Sequence, residues 1–199
     1  MMKASKVISR ILIALGILIV LIVICFAFLL SYETNVTQNV DTFVYSLPYQ
    51  KGSSYKVIQG YGGFFSHSHT AALDFGMPSG SPVCAAREGI VYSYKDDSDE
   101  GGPFSEYKNK ANYIIIKHSD GSFGCYWHLQ KNGVLIKTGY VSNGQQIGLS
   151  GSTGYTLWPH LHFSVKRKLN YDMDSFVRTK FNTTKGPSFL LAGNFYERP

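Results

Sequence analysis

Several features common in other protein classes are missing from this sequence of 199 residues. After residue 30 no stretch carries the 3.6-residue apolar repeat of an amphipathic helix, and no segment repeats along the chain. The sequence has three cysteines, and only Cys84 and Cys125 lie outside an apolar N-terminal segment. Both occur in strand-like stretches, and the sequence leaves open whether they are two buried thiols or form a disulfide.

Charge is missing from residues 11–30, ILIALGILIVLIVICFAFLL. As a helix rising about 1.5 Å per residue, this segment would span roughly 30 Å, the thickness of a bilayer's hydrocarbon core. No small-x-small cleavage site follows it, which favours an anchor over a signal peptide. Lys3, Lys6 and Arg10 precede it, so the positive-inside rule places residues 1–10 in the cytoplasm. We therefore predict a single-pass protein of the cell membrane with an extracytoplasmic domain.

The exported part of the chain is only mildly basic. Without the three basic residues before the apolar segment, 16 Lys and Arg stand against 13 Asp and Glu, a net charge of +3. This charge suits an anionic surface such as a cell-wall polymer and is too weak to indicate a nucleic-acid partner. We predict a stalk over residues 31–52 and one domain over 53–199, while the oligomeric state stays open.

Short β-rich runs alternate with turn signals throughout the predicted domain. Strands at such close spacing, joined by Gly-rich connections, predict an all-β fold, an antiparallel β-sandwich or barrel-like sheet. Asp120 and Gly121 lie between two apolar runs and predict a tight hairpin turn. The charged stretch 95–110 predicts an exposed loop between two strands.

The stretch WPHLHFSV, residues 158–165, places His160 and His162 two residues apart in an apolar run. On a strand, residues i and i+2 point the same way, about 6.6 Å apart, so both imidazoles can face one groove. A chain with six histidines can contain such a pair by accident. Spacing leaves open whether both, one or neither of the two binds a metal.

Three further stretches give the pair a context: ALDFGMPSGSPVCAAREGIV, YWHL and GSTGYTLWPHLHF. In this order and at these separations, over roughly residues 53–168, they resemble the lysostaphin-type zinc metallopeptidases, which cut peptide cross-links in bacterial cell walls. The resemblance implies a Zn²⁺ ion with three protein ligands and a fourth position for water. It also implies an open groove for an extended peptidoglycan peptide.

The resemblance assigns roles to four residues. In such enzymes the second histidine of H-x-H is a ligand and the first faces the substrate, which makes His162 a metal ligand and His160 catalytic. Asp74, in ALDFGMP, matches the aspartate ligand. His128, in YWHL, matches a catalytic histidine that does not bind the metal and that stabilises the transition state together with His160.

The third ligand is where the sequence departs from the compact family pattern. Thr70 occupies the expected histidine position, so His67 and His69 compete for the role. We predict His67, because the FSH that ends there resembles longer-spaced variants of the motif. His118 fits no motif and is interpreted as structural. Gly151 and Gly154 permit a close loop approach to the groove, or they belong to an ordinary turn.

We therefore predict a membrane-anchored zinc metalloendopeptidase that hydrolyses cross-bridge or stem peptide bonds of peptidoglycan with zinc-activated water. The alternative is a non-catalytic relative that binds the wall or regulates another hydrolase. In that case zinc would be structural, with His67, Asp74, His160 and His162 closing the site. Since such relatives usually lose ligand residues and every candidate is present here, the enzyme is favoured.

Overall fold

The computed structural model describes residues 2–31, 39–170 and 172–199, and the side chains of the N-terminal helix from residue 8 to residue 27. The helix and strands are α1 (Met2–Ser31), β1 (Val40–Tyr45), β2 (Ser54–Gln59), β3 (Ala72–Gly76), β4 (Pro82–Cys84), β5 (Gly89–Lys95), β6 (Gly101–Gly102), β7 (Asn112–Lys117), β8 (Phe123–Val134), β9 (Tyr140–Val141), β10 (Gln146–Ser150), β11 (Gly154–Tyr155), β12 (Leu161–Lys166), β13 (Phe176–Thr183), β14 (Gly186–Ser188) and β15 (Phe195–Glu197). Two short 3-10 helices cover Ser105–Lys110 and Met173–Ser175.

The predicted apolar segment forms most of α1. Its stretch Ile8–Ala27 is long and apolar enough to cross a membrane, with 20 residues and a mean hydropathy of 3.0. The side chains of this stretch are exposed, as a lipid-facing helix requires. A signal sequence near the N-terminus has the same length and composition, so the helix alone is compatible with both.

The rest of the described chain is built from strands, which confirms the predicted all-β fold. The main sheet follows the order β15-β2-β3-β12-β8-β7-β5-β9, with β10 bridging β4 and β8 and with β13 joining β12 to β1 and β14. Antiparallel pairs dominate, as predicted, and the parallel pairs among the described strands are β1 with β13 and β6 with β11.

Alternation along β12 separates the core from the groove. Leu161, Phe163 and Val165 are buried in the hydrophobic core, where Phe163 packs against Tyr126 of β8 with ring centres 5.0 Å apart. The intervening residues of β12 point to the opposite face of the sheet because successive side chains of a strand alternate. His162 lies on that face, and the strand predicted around it is confirmed.

Part of the stretch predicted as a stalk packs against the domain. Residues 32–38 of the predicted stalk lie outside the described residues, but β1 pairs with β13 and the Tyr45 and Tyr49 side chains are fully buried. Tyr45, Leu47 and Tyr49 of this stretch belong to the hydrophobic core. A short β-strand inside a polar, Pro-containing stretch gives a weak sequence signal.

The predicted turn and loop are both present. Gly121 has a φ of 84° in the turn between β7 and β8, a backbone conformation that suits glycine. The stretch 95–110 is largely exposed, but it also contains β6, which pairs with β11 beside the groove.

The two cysteines of the domain are free. Cys84 and Cys125 are both buried, and neither forms a disulfide. Burial raises the pKa of both thiols, that of Cys125 to about 12, so both are protonated at neutral pH. They serve as small apolar side chains of the fold.

Candidate metal and catalytic site

Three side chains from separate segments converge on one point. His67 Nε2 lies 3.1 Å from His162 Nδ1 and 3.3 Å from Asp74 Oδ1, and His162 Nδ1 lies 2.9 Å from the same carboxylate oxygen. Ligand atoms bound tetrahedrally at about 2.0–2.1 Å from Zn²⁺ are about 3.3 Å from one another. The three side chains can therefore hold one metal ion, and two imidazoles with one carboxylate are a donor set that zinc accepts.

The register of the sheet explains two of the three positions. His162 of β12 is directly opposite Asp74 of β3, which places both side chains on the groove face. His67 comes from the loop before β3, and its Nδ1–H donates to the Gly60 carbonyl at 3.0 Å. Because this bond uses Nδ1 as the donor, Nε2 is the atom that could bind a metal.

His69, the competing candidate, is exposed and does not belong to this cluster. His67 in contrast is completely buried. The structure therefore brings together the three residues predicted as ligands and leaves His69 outside the cluster.

Gln59 is a residue of the site that the sequence did not indicate. It is buried, and its side-chain amide donates to Asp74 Oδ2 at 3.1 Å and to the Ser66 hydroxyl at 2.7 Å. Its carbonyl oxygen accepts from the backbone N–H groups of Phe65 and Ser66. Gln59 thus holds both Asp74 and the loop that carries His67. No motif surrounds this glutamine, so only the pairing of β2 with β3 reveals it.

His160 lies beside the cluster with one nitrogen already engaged. Its Nδ1 is 2.9 Å from the Trp158 carbonyl and 3.2 Å from the Thr156 hydroxyl. Its Nε2 is 3.6 Å from Asp74 Oδ1 and therefore faces the cluster. A hydrogen bond from Nδ1–H to a carbonyl fixes the tautomer in which Nε2 accepts a proton.

His128 reaches the groove through an irregularity in β8. Asn112 pairs with Leu129 and Tyr113 pairs with Trp127, so His128 is an extra residue without a partner on β7. Its φ of 66° is unusual for a residue other than glycine and costs of order 1 kcal/mol. Such a bulge turns a side chain away from the face that strict alternation would give it. Here it places the His128 ring 4.6 Å from the His160 ring, centre to centre.

The loop GSTG fixes His128 from the other side. His128 Nδ1 lies 2.7 Å from the Thr153 carbonyl, and the Thr153 hydroxyl donates to the Leu129 carbonyl at 2.7 Å. Gly151 and Gly154 allow this approach, because a Cβ on Gly151 would lie 2.5 Å from the Gln130 nitrogen. The loop therefore packs tightly against the bulge instead of forming an ordinary exposed turn.

Burial and charge set the protonation of the cluster. Burial raises the pKa of Asp74, but the charges of His67 and His160 outweigh it and hold that pKa well below the usual value. Burial lowers the pKa of His67, and the charge of Asp74 outweighs that effect and raises it. Burial, with help from His160 and His162, lowers the pKa of His128 to about 3. Asp74 is therefore ionised and His128 neutral at neutral pH.

The cluster lies in a groove, next to two cavities of different size. A cavity of about 50 Å³ at the cluster is lined by Asp74, His128, His160 and His162, together with apolar side chains such as Trp158. Some of these apolar side chains, Phe65, Leu157 and Trp158, are exposed at its rim. A second cavity of about 490 Å³ shares His128 and His162 with the first. An extended chain can therefore lie across the cluster.

His118 lies apart from this group, as predicted. It is buried, and its Nδ1 is 2.7 Å from the Glu88 carbonyl. Burial lowers its pKa, so the ring is neutral in the folded domain.

Residues 68–174 match the protein family described as peptidase family M23. The chain is 39% identical over 93 residues to the peptidoglycan DD-endopeptidase ShyA of Vibrio cholerae, and these residues are 46% of this chain and 19% of ShyA. It is 33% identical over 98 residues to the DD-carboxypeptidase/endopeptidase Mpg of Neisseria gonorrhoeae, covering 49% of this chain and 20% of Mpg. The match thus spans about a fifth of the length of these relatives.

Solved structures resemble the chain over a larger part of its length. The catalytic domain of lysostaphin from Staphylococcus simulans is 31% identical, with a TM-score of 0.42, and the match covers 62% of this chain and 84% of that domain. A zinc-containing peptidase from Vibrio cholerae is 28% identical, with a TM-score of 0.39, over 64% of this chain and 35% of that protein.

Proposed function

This chain belongs to peptidase family M23, and from that premise we propose that it is a zinc-dependent endopeptidase that hydrolyses peptide bonds in bacterial peptidoglycan. The names of relatives such as the peptidoglycan DD-endopeptidase ShyA support this substrate. The bond that is cut is either in a cross-bridge or in a stem peptide.

The observation that carries the proposal is the arrangement of five side chains in two groups. His67, Asp74 and His162 direct their free ligand atoms at one point. His128 and His160 lie next to this point, but each engages Nδ1 with a backbone carbonyl. Three ligands and two fixed histidines in a groove are what a catalytic zinc site with an open position requires, whereas a structural site would be closed.

His67, Asp74 and His162 would hold the zinc ion, which when bound lowers the pKa of a coordinated water and polarises a substrate carbonyl. Their outer partners support this role. The Gly60 carbonyl orients His67, and Gln59 orients Asp74. Such contacts fix the direction of the ligand atoms before the metal binds.

His160 and His128 would handle protons and charge. His160 Nε2 faces the cluster and can accept a proton from the attacking water and pass it to the leaving amine. His128, neutral and anchored through Nδ1, presents its other edge to the groove that it lines. There its Nε2, which carries no proton in this tautomer, can accept a hydrogen bond from the attacking water and orient it towards the substrate carbonyl.

We also propose that α1 anchors the enzyme in the cell membrane with the domain on the extracytoplasmic side. The apolar stretch Ile8–Ala27 supports the anchor, and the basic residues before and at its start, Lys3, Lys6 and Arg10, support this orientation. Peptidoglycan lies on that side of the membrane, so the anchored domain would be on the same side as its substrate.

The proposal is tested by digesting purified peptidoglycan with the full-length chain in detergent and identifying the released muropeptides by mass spectrometry. We expect new peptide ends, loss of activity after chelation and recovery with added Zn²⁺. His162→Ala should release nothing. A folded, zinc-loaded chain that binds the wall without cutting it would instead establish the non-catalytic alternative.

A further inference from the structure

The larger of the two cavities at the cluster is lined by basic residues that have no part in the proposed catalysis. Its volume of about 490 Å³ is large enough for part of an extended peptide. Apart from the two shared histidines, the lining residues that can carry a charge at neutral pH are Lys108 and Lys166, and none of the described residues that line the cavity is Asp or Glu. The cavity therefore has a positive character at neutral pH.

One strand leads from the cluster into this cavity. His162, Ser164 and Lys166 alternate along β12 and all three line the cavity. At about 3.3 Å per residue, the backbone of Lys166 lies about 13 Å from that of His162. An extended substrate has the same rise per residue, so a backbone group near Lys166 belongs to a residue about four positions from the bond at the cluster. A carboxylate at the end of a long substrate side chain can reach Lys166 from two or three positions away.

Lys166 is a buried cation at the far end of this row. Its ammonium group donates to the Asn170 carbonyl at 2.9 Å and lies 4.2 Å from the centre of the Phe176 ring. Burial disfavours the charged form of the side chain and so lowers the pKa of Lys166. An anion that binds next to a buried ammonium removes much of that cost, because the two charges attract strongly away from water.

Ser164 adds a polar group between the metal cluster and Lys166. Its hydroxyl oxygen is buried and has no hydrogen-bond partner of good geometry within the part of the chain that the structure describes. The Cys125 thiol lies next to this hydroxyl, and a thiol is only a weak hydrogen-bond partner. The hydroxyl is therefore available to a ligand that enters the cavity.

We propose that this cavity is a carboxylate-binding subsite in which Lys166, assisted by Ser164, selects peptides with a carboxylate two to four residues from the bond to be cut. Lys108, which is exposed at the same cavity, adds long-range attraction for an anionic peptide. The inference rests on the endopeptidase function proposed above. It means that a wall peptide with a free carboxylate is a better substrate than the same peptide with that group amidated.

The test uses two synthetic cross-linked stem-peptide dimers that differ only in a carboxylate or a carboxamide three residues from the cross-link. Cleavage rates and, by calorimetry, dissociation constants are measured for the full-length chain in detergent. The variants are Lys166→Met, Lys166→Arg and Lys168→Met. Lys168 is exposed two residues further along and serves as the matched control. Circular dichroism verifies that each variant is folded.

We expect the wild type and Lys168→Met to prefer the carboxylate peptide by about tenfold in kcat/KM and in Kd, the effect of one charge-assisted hydrogen bond. Lys166→Met should lose the preference, and Lys166→Arg should retain most of it. Equal binding of both peptides by the wild type would overturn the subsite. If the wild type prefers the carboxylate peptide in binding but cleaves neither, the subsite stands and the proposed activity fails. If Lys166→Met does not fold, two other variants decide. The assignment is refuted if Ser164→Ala keeps the preference for the carboxylate peptide while Lys168→Met loses it.

Discussion

His67 and His69 are two residues apart in the sequence, but only His67 is buried beside Asp74 and His162. We predict that His67→Ala and His162→Ala lose bound zinc, because each removes one of three protein ligands. His69→Ala should retain it. Zinc per chain is measured by mass spectrometry after dialysis, on variants whose circular dichroism matches the wild type. Zinc loss in His69→Ala with retention in His67→Ala would reverse the ligand assignment.

His128 and His160 should behave differently from the ligands. His128→Ala and His160→Ala should keep zinc while wall digestion slows by about 10²–10³-fold and 10²–10⁴-fold respectively, since neither nitrogen at the groove is needed to hold the metal. Digestion rate and zinc content are compared on the same preparations, with His118→Gln as a histidine outside the site. If both variants lose zinc as His162→Ala does, the site is closed and structural.

A third prediction for a single residue concerns Gln59. Gln59→Ala removes the amide that holds Asp74 and the loop of His67, and outer-shell contacts of this kind are worth about 10–100-fold in metal affinity. We expect zinc affinity to fall by that factor in a competition titration with a chelator. Gln145, exposed and away from the site, provides the control variant Gln145→Ala. Equal affinities would mean that Asp74 is held by the sheet alone.

At the scale of secondary-structure elements, the bulge of β8 and the GSTG loop form one unit. Gly154 has a φ of 84°, and a Cβ there would lie 2.4 Å from the Ala111 Cβ. Gly186 has a similar φ of 92° but open space around it. Gly186→Ala should therefore cost only backbone strain, about 1 kcal/mol, while Gly154→Ala adds a steric clash worth about 1–3 kcal/mol more.

Urea unfolding of both variants measures the difference in the free energy of unfolding. Gly154→Ala should also slow wall digestion, because the displaced loop carries the Thr153 carbonyl that holds His128. Similar destabilisation of the two variants would show that the loop has room to yield and that its close packing is not needed.

The secondary-structure elements also show which parts of the fold and the site could be predicted from the sequence. Alternation predicted β12 and the shared face of His160 and His162, since period two is a local property. The catalytic role of His128 could be assigned only by resemblance. A regular strand would direct this side chain into the core, and no local sequence pattern indicates the bulge. Gln59 was missed since its role depends on the pairing of β2 with β3. The burial of Tyr45 and Tyr49, in the stretch predicted as a stalk, could not be predicted because their neighbours in the sequence are polar.

For the molecule as a whole, we predict that the chain remains in the membrane fraction of cells. The apolar stretch Ile8–Ala27, in which Arg10 near the start is the one charged residue, should resist extraction by alkaline carbonate, and protease added from outside should degrade the domain. Intact-mass measurement of the purified protein provides the check on processing. A mature chain that begins after residue 25 and partitions as soluble would identify the segment as a signal peptide.

The short distance between α1 and β1 limits where an anchored domain can work. Residues 32–39 join the last residue of the helix to the first strand, and eight residues span at most about 29 Å. Because β1 is paired with β13, the domain cannot gain reach by releasing this strand without losing core residues. An enzyme on such a tether searches a surface by lateral diffusion. If α1 anchors the proposed enzyme, its activity would depend on the number of copies per membrane area, and it would trim the wall only in the layer nearest the membrane.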